Sequence, residues 1–110
     1  MPQLTARGIP PEKIASVYGP LVAELADICA CGTDNFTIDC LQVVSIGEDG
    51  AGAPTFPFVE VGWFDRGGKA RDRFAGAVTR HLRAAGVEEV EVAFKTYAPE
   101  AYYINGKPCE

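Results

Sequence analysis

Polar and apolar residues alternate at the start of the chain and then change to a helical spacing. From Gln3 to Gly8, Leu4 and Ala6 alternate with polar neighbours, which predicts a short strand with one buried face. Pro10 and Pro11 follow, and their fixed φ favours the first turn of a helix. Beyond them, apolar residues recur at the three- and four-residue steps of one helical stripe: Ile14, Val17, Leu21, Leu25 and Ile28.

Pro20 lies within this helical stripe, directly after Gly19. A proline inside a helix removes the hydrogen bond to the carbonyl four residues earlier, which here belongs to Ser16. We therefore expect Pro20 either to kink the helix or to delay the start of its regular part.

A second run of strand-forming residues follows Gly32. Residues Thr33 to Ile46 are rich in β-branched and aromatic side chains, which predicts a central strand. Its two faces carry Phe36, Ile38 and Cys40 on one side and Leu41 and Val43 on the other. The next segment, Gly47 to Pro57, contains three Gly, two Pro and two acidic residues, so we expect an exposed loop there.

The second half of the chain repeats the pattern of the first. The residue pattern predicts one strand over Phe58 to Phe64 and another over Val87 to Thr96. Between them, Lys69 to Ala85 predicts a helix that Gly86 ends, with Phe74, Val78 and Leu82 on one stripe.

Each half, about 2–46 and 57–97, is thus a strand, a helix and a strand. Such a unit favours a parallel strand pair with a right-handed crossover. We therefore predict an α/β fold, in which two consecutive βαβ units form one four-stranded mixed sheet with both helices on one face, in a single domain of residues 1–110.

This arrangement leaves the other sheet face uncovered. Apolar strand residues are available to line it, namely Leu41, Val43, Val59, Val61 and Trp63. Because an apolar face of that size needs a partner, we expect a homo-oligomer.

Charge and composition narrow the function classes. With 110 residues and a formal net charge of −5, the chain is acidic, whereas nucleic-acid-binding domains are usually basic. Five basic residues fall between Lys69 and Arg83, and we interpret them as a solvated helix face. No run approaches the roughly 20 apolar residues of a membrane helix, and no signal-peptide pattern is present. We expect a cytoplasmic protein without nucleic-acid or membrane partners.

The cysteines, the histidine and the glycine pair of the chain match no metal or nucleotide motif. The four cysteines, Cys29, Cys31, Cys40 and Cys109, match no common zinc or redox spacing. Because Cys29 and Cys31 lie near the end of a helical pattern and Cys40 lies in a strand pattern, we expect buried thiols in a reducing compartment. His81 has no partner at ligand spacing, and Gly67-Gly68 lacks the rest of a nucleotide-binding fingerprint. We predict neither a metal nor a cofactor.

Three strings carry a family resemblance. The start MPQLTARGI, the strand FPFVEVGWFDRG and the end EAYYINGK resemble a family of short bacterial proteins of unknown function, numbered 1904 among such domains and grouped with the tautomerase superfamily. Met1-Pro2 leading directly into a strand, followed by two βαβ units, resembles that superfamily over nearly the whole chain. The resemblance implies a trimer like that of macrophage migration inhibitory factor, with sheets packed around the axis and active sites near subunit boundaries.

The resemblance also implies a role for Pro2. In characterised superfamily members the initiator Met is removed, and the exposed proline acts as a general base or acid in keto–enol tautomerisation, or assists hydration, dehalogenation or decarboxylation. An α-amino group has a reference pKa of about 8, which burial or a nearby cation lowers toward the range where a general base works best. We expect Pro2 to move a proton on a small 2-oxo acid or enolisable carbonyl compound.

An anionic enol needs hydrogen-bond donors and a cation. Arg66 is the first candidate, since it ends the third strand just before Gly67-Gly68, whose N–H groups at the start of the second helix could also hold an anion. The alternative is a surface arginine paired with Asp65. Arg7, on the first strand, is a further candidate for binding a substrate carboxylate.

Aromatic residues supply further candidates. Trp63 could form a pocket wall, or belong to the core or an interface. Tyr102 and Tyr103, in the tail after the fourth strand, could donate to an oxyanion in a neighbouring subunit, or simply pack the tail.

Glu60 is a candidate second acid–base group. Flanked by Val59 and Val61, it is expected to be half-buried with a raised pKa, and so could hold Pro2 protonated. The alternative is a salt bridge to Arg7 or Lys95.

The chain departs from the migration-inhibitory-factor group in one stretch. That group has a lysine just after its first helix and a small-Xaa-Xaa-Cys redox pair. Neither feature is found at the corresponding stretch of this chain, which reads Cys31-Gly32-Thr33. The substrate class therefore does not transfer. A non-catalytic trimer that binds a ligand or a protein is the rival hypothesis, because a fold does not by itself imply a function.

Overall fold

The computed structural model describes residues 2–109 and confirms the predicted α/β architecture. Two helices and a four-stranded mixed sheet form its main body, and two small hairpins are added to it. The elements are β1 (Gln3–Arg7), α1 (Pro11–Cys29), β2 (Thr37–Cys40), β3 (Ser45–Ile46), β4 (Gly52–Ala53), β5 (Phe58–Trp63), α2 (Gly68–Ala84), β6 (Glu91–Thr96), β7 (Tyr103–Ile104) and β8 (Lys107–Pro108).

The sheet has the strand order β2-β1-β5-β6. Strands β1 and β2 are parallel, as are β5 and β6, which confirms both predicted βαβ units. The two units meet through an antiparallel pair, with Gln3 opposite Gly62 and Arg7 opposite Phe58. The prediction of a central strand after Gly32 is wrong, because β1 and β5 occupy the centre and leave β2 at an edge.

The core lies between the sheet and the two helices. Val59, Val61 and Trp63 are at most 2 % exposed within it, so the prediction that they line the uncovered face is wrong. Side chains alternate along a strand, and the apolar set of β5 faces the apolar stripes of the helices. Leu41 and Val43 are exposed in the chain that follows β2.

The uncovered face of the sheet is instead mostly polar or small. Its residues, read from the alternation and the strand register, are Gln3, Thr5, Arg7, Thr37, Asp39, Phe58, Glu60, Gly62, Glu91, Ala93 and Lys95. Apolar side chains are exposed elsewhere, mainly between β2 and β5: Leu41, Val43, Val44, Ile46 and Phe56. The stretch predicted as a loop contains β4, which pairs with β3 as a short hairpin.

Helix α1 runs without interruption through Pro20. The alternative in which its regular part starts after the proline is therefore wrong. Tertiary packing outweighs the missing hydrogen bond, because Leu21, Val22 and Leu25 are buried directly after Pro20. Within residues 2–109, neither helix combines the length and the apolar character that crossing a bilayer requires.

An aromatic cluster joins α2 to the end of the sheet. Phe74 of α2 is fully buried, and its ring makes edge contacts with Trp63 at 5.5 Å and with Phe94 at 5.6 Å between centroids. Trp63 and Phe94 lie 4.8 Å apart. Contacts of this kind add about 0.5–1.5 kcal/mol each to the burial of the rings.

The two helices are joined at their surface by a charged group. Glu24 of α1 accepts hydrogen bonds from both terminal nitrogens of Arg80, at 2.8 and 2.7 Å, and lies 2.9 Å from His81 Nε2. The hydrogen bonds from Arg80 and His81 lower the pKa of Glu24 from 4.5 to about 2.

Phe74→Ala tests the aromatic cluster. The lost burial and the cavity left between Trp63 and Phe94 are expected to lower the free energy of unfolding by about 3–5 kcal/mol in urea denaturation. The control is Tyr18→Ala at an exposed position of α1, expected to change it by no more than about 0.5 kcal/mol at the same protein concentration. Similar losses in both variants would contradict the assignment of Phe74 to the core.

Glu24→Gln tests the link between the helices. Because the pKa of Glu24 is lower in the folded chain, its stabilisation is complete above about pH 4.5 and is lost as the pH falls toward 2. We expect the variant to lose about 1 kcal/mol or less at pH 7, and to match the parent protein near pH 2 in thermal unfolding. Asp27→Asn, at a more exposed and longer ion pair with Arg73, is the control and should show a smaller effect. A difference that stays constant down to pH 2 would contradict the assignment.

Candidate active site

Pro2 directly precedes β1, one of the two central strands of the sheet. Its side chain is among the fully buried ones, and its carbonyl accepts a 3.4 Å hydrogen bond from the N–H of Thr37, which extends the pairing of β1 with β2. On the other side, the register of β1 with β5 continues to place Pro2 opposite Trp63. Met1, whose removal the resemblance implies, lies outside the described residues.

Arg66 places a cation at the same end of the sheet. Its guanidinium carbon lies 5.6 Å from the centroid of the Trp63 ring, and its Nη1 donates a 2.9 Å hydrogen bond to the carbonyl of Phe64. The alternative pairing with Asp65 is not what the structure shows, since Asp65 accepts from the N–H of Gly67 at 2.9 Å. Among residues 2–109, no carboxylate lies within 4 Å of the Arg66 guanidinium.

The start of α2 adds positive potential beside Arg66. Gly67, with φ 91, precedes the helix without a side-chain cap, and the first turn contains no acidic residue. Lys69 and Arg71 stand there instead, although a helix N-terminus ordinarily favours negative charge. The first N–H groups of the helix have no partner in the preceding turn and are available to an anion.

Cys29 also lies near this end of the sheet, which sequence reasoning did not anticipate. It is the last residue of α1 and is buried. Burial raises the pKa of the Cys29 thiol, while the charge of Arg66 acts in the opposite direction. The thiol is therefore neutral at physiological pH, and the only clue in the sequence was its position at the end of a buried helical stripe.

The tail folds back over the same end on the uncovered face. Gln3 Nε2 donates a 2.7 Å hydrogen bond to the Tyr102 hydroxyl, and the Tyr102 ring packs 5.2 Å from Phe64 and 5.4 Å from Tyr97. Gly62 permits this packing, because a Cβ there would lie 2.6 Å from the Tyr97 hydroxyl. Tyr102 thus packs its own chain in this structure.

The remaining candidates lie away from Pro2 within one chain. Arg7 is five residues along the extended strand, about 17 Å from Pro2, and its guanidinium carbon lies 4.9 Å from the centroid of the Phe58 ring. Glu60 is exposed, so the expectation that it is half-buried is wrong. A shallow depression of about 210 Å³ on the uncovered face is lined by Arg7 and Glu60 together with Thr5, Leu41 and Phe58. Tyr103 is 62 % exposed in the β7–β8 hairpin.

The structure therefore brings together Pro2, Trp63 and Arg66, and it leaves Arg7, Glu60 and Tyr103 apart from them. The assembled end offers an arginine, helix N–H groups and a neutral thiol, which suits a small anion. Among the described residues, no cluster of three His, Cys, Asp or Glu side chains is placed to hold a metal.

Comparison with solved structures identifies the fold. A crystal structure of a domain of unknown function (DUF1904) from Sebaldella termitidis ATCC 33386 has 30 % identity and a TM-score of 0.88, covering 98 % of this chain and 99 % of that one. A protein of unknown function from Vibrio cholerae O1 biovar eltor str. N16961 has 26 % identity and a TM-score of 0.83, covering 97 % and 86 %. The wild-type F6 fused 4-OT, described as an asymmetric trimer, has 16 % identity and a TM-score of 0.75, covering 97 % and 95 %.

The 4-OT proteins are members of the tautomerase superfamily, and this chain shares their fold. Among curated proteins, none matches it in sequence. The sequence model of the Domain of unknown function (DUF1904) matches residues 1–108, and the chain therefore belongs to the DUF1904 family.

Proposed function

We propose that this protein is a cofactor-independent, tautomerase-like enzyme that moves a proton on a small 2-oxo acid or enolisable carbonyl compound, with Pro2 as the general base. The observation that carries the proposal is that Pro2, Arg66 and the uncapped start of α2 lie at the same end of the sheet. A base and an anion-binding group are the two components that such a reaction requires.

Removal of Met1 creates the base. While Met1 is attached, the Pro2 nitrogen is part of a tertiary amide and has no basic lone pair. Hydrolysis of that bond leaves a secondary amine, whose neutral form is favoured by burial and by the neighbouring Arg66 cation.

The reaction is a proton transfer in two steps. The neutral Pro2 amine takes a proton from the enol hydroxyl or from the carbon next to the carbonyl, and the ligand becomes an enolate. The protonated amine then returns a proton to the other position, which completes the tautomerisation without net oxidation. Arg66 binds the carboxylate, and the first N–H groups of α2 stabilise the oxyanion.

The active form is a homotrimer of a tautomerase-like domain. Its support is the exposed apolar segment between β2 and β5, together with the trimeric state given for the F6 fused 4-OT. Arg7, Glu60 and Tyr103 lie apart from Pro2 within one chain, so a role for them in catalysis requires the site of a neighbouring subunit.

A non-catalytic, ligand- or protein-binding trimer is the second candidate. The complete burial of the Pro2 side chain favours it, because a general base must reach its substrate. Turnover by the protein without Met1 separates the two candidates.

Pro2→Ala tests the enzyme proposal. We expect intact-protein mass spectrometry of the parent protein to show loss of Met1. We expect kcat/KM for the ketonisation of phenylenolpyruvate or 2-hydroxymuconate to be at least about 100-fold lower in the variant than in the parent protein. Exposed Pro20 of α1 provides a matched control, and Pro20→Ala should leave turnover unchanged.

Labelling with 3-bromopropiolate is a second measurement, and we expect this reagent to modify Pro2 itself. Retention of Met1, or turnover that does not respond to Pro2→Ala, would exclude the enzyme proposal and leave the binding protein.

A further inference from the structure

Trp63 has a buried hydrogen-bond donor without an acceptor. The side chain is 1 % exposed, and its Nε1 is the buried side-chain nitrogen or oxygen that lacks a partner among residues 2–109. A buried donor without a partner is costly, and native structures rarely retain one unless it has a use.

Packing explains the ring of Trp63 but not its N–H. The indole is held 5.5 Å from Phe74 and 4.8 Å from Phe94, so it cannot turn freely to find water. The neighbouring aromatic positions of this cluster are all phenylalanine, which fills space without a polar atom. Phenylalanine at position 63 would avoid the orphan donor at the expense of some volume.

The side chain that carries this donor lies at the candidate site. Trp63 lies opposite Pro2 across the β1–β5 pair, and the Arg66 guanidinium lies over its ring. A carboxylate bound by Arg66 would therefore lie close to the indole. Arg66 is only half-buried, and one hydrogen bond to the Phe64 carbonyl holds it in place.

We propose that the Trp63 Nε1–H is a substrate-binding donor, which hydrogen-bonds to an oxygen of the small carboxylate that Arg66 holds. The ligand exchanges the bond between Arg66 and the Phe64 carbonyl for a charge-assisted bond, and the guanidinium moves off the indole as it does so. The N–H then gains the acceptor that it lacks in the free chain. The ligand class, a planar 2-oxo carboxylate, rests on the proposed function, but the binding role of Trp63 does not.

The experiment uses the fact that Trp63 is the single tryptophan of the chain. Protein without Met1 is labelled with ¹⁵N in the indole and titrated with oxalate, an unreactive planar dicarboxylate. We expect the single indole N–H resonance to move downfield as oxalate saturates, and not to move with chloride at the same ionic strength.

Three variants complete the test. Replacement of the Trp63 indole by benzothiophene, which keeps the ring size and removes the N–H, should weaken oxalate binding by about tenfold in calorimetry without lowering the thermal stability of the free protein. Arg66→Gln should abolish the shift of the indole resonance. Arg83→Gln, at the far end of α2, is the control and should leave the shift intact.

The outcomes separate this inference from the proposed function. An indole resonance that stays fixed while oxalate binds, or the failure of oxalate to bind at millimolar concentration, overturns the role of Trp63 even if Pro2→Ala abolishes turnover. A shift that depends on Arg66 supports that role even if the protein turns nothing over, and in that case it favours the ligand-binding trimer.

Discussion

The antiparallel pairing of β1 with β5 is the constraint on which the site depends. In an antiparallel pair, the start of one strand lies beside the end of the other. Here that places Pro2 beside Trp63, and the chain that leaves β5 supplies Arg66 and the start of α2 within the next few residues. Had the two halves joined in parallel, Pro2 would lie at the opposite end of the sheet from all three.

Local pattern predicted the elements well, because the apolar stripes of α1 and α2 and the alternation of β1 depend on neighbours in sequence. It could not predict which sheet face the helices cover. The alternation of Val59 and Glu60 fits a strand with either of its faces turned toward the helices. Only the packing of Phe74 against Trp63 shows which face the helices cover. For the same reason Glu60 was expected to be half-buried and is exposed. The edge position of β2 and the pairing of Tyr102 with Gln3 join distant parts of the chain, and no local pattern encodes them.

The charge of the site differs in sign from that of the chain. A formal net charge of −5 argues against a polyanionic partner, but it does not set the potential at one end of the sheet. There, Arg66, Lys69 and Arg71 outnumber the neighbouring carboxylate of Asp65, and the first turn of α2 contains no acidic residue. This local excess of positive charge supports a small anion as the ligand of the proposed site.

The end of the sheet around Pro2 also holds two groups that stability alone does not explain. One is a buried proline that becomes an amine once Met1 is removed, and the other is an indole N–H without an acceptor. Local choices that weaken a fold without a structural benefit tend to occur at functional sites. Both groups lie on the helix side of the sheet at the same strand pair, and the Arg66 guanidinium lies over the indole ring. The binding of an anion there is therefore the property that the catalytic and non-catalytic hypotheses share, and proton transfer by Pro2 is the one that separates them.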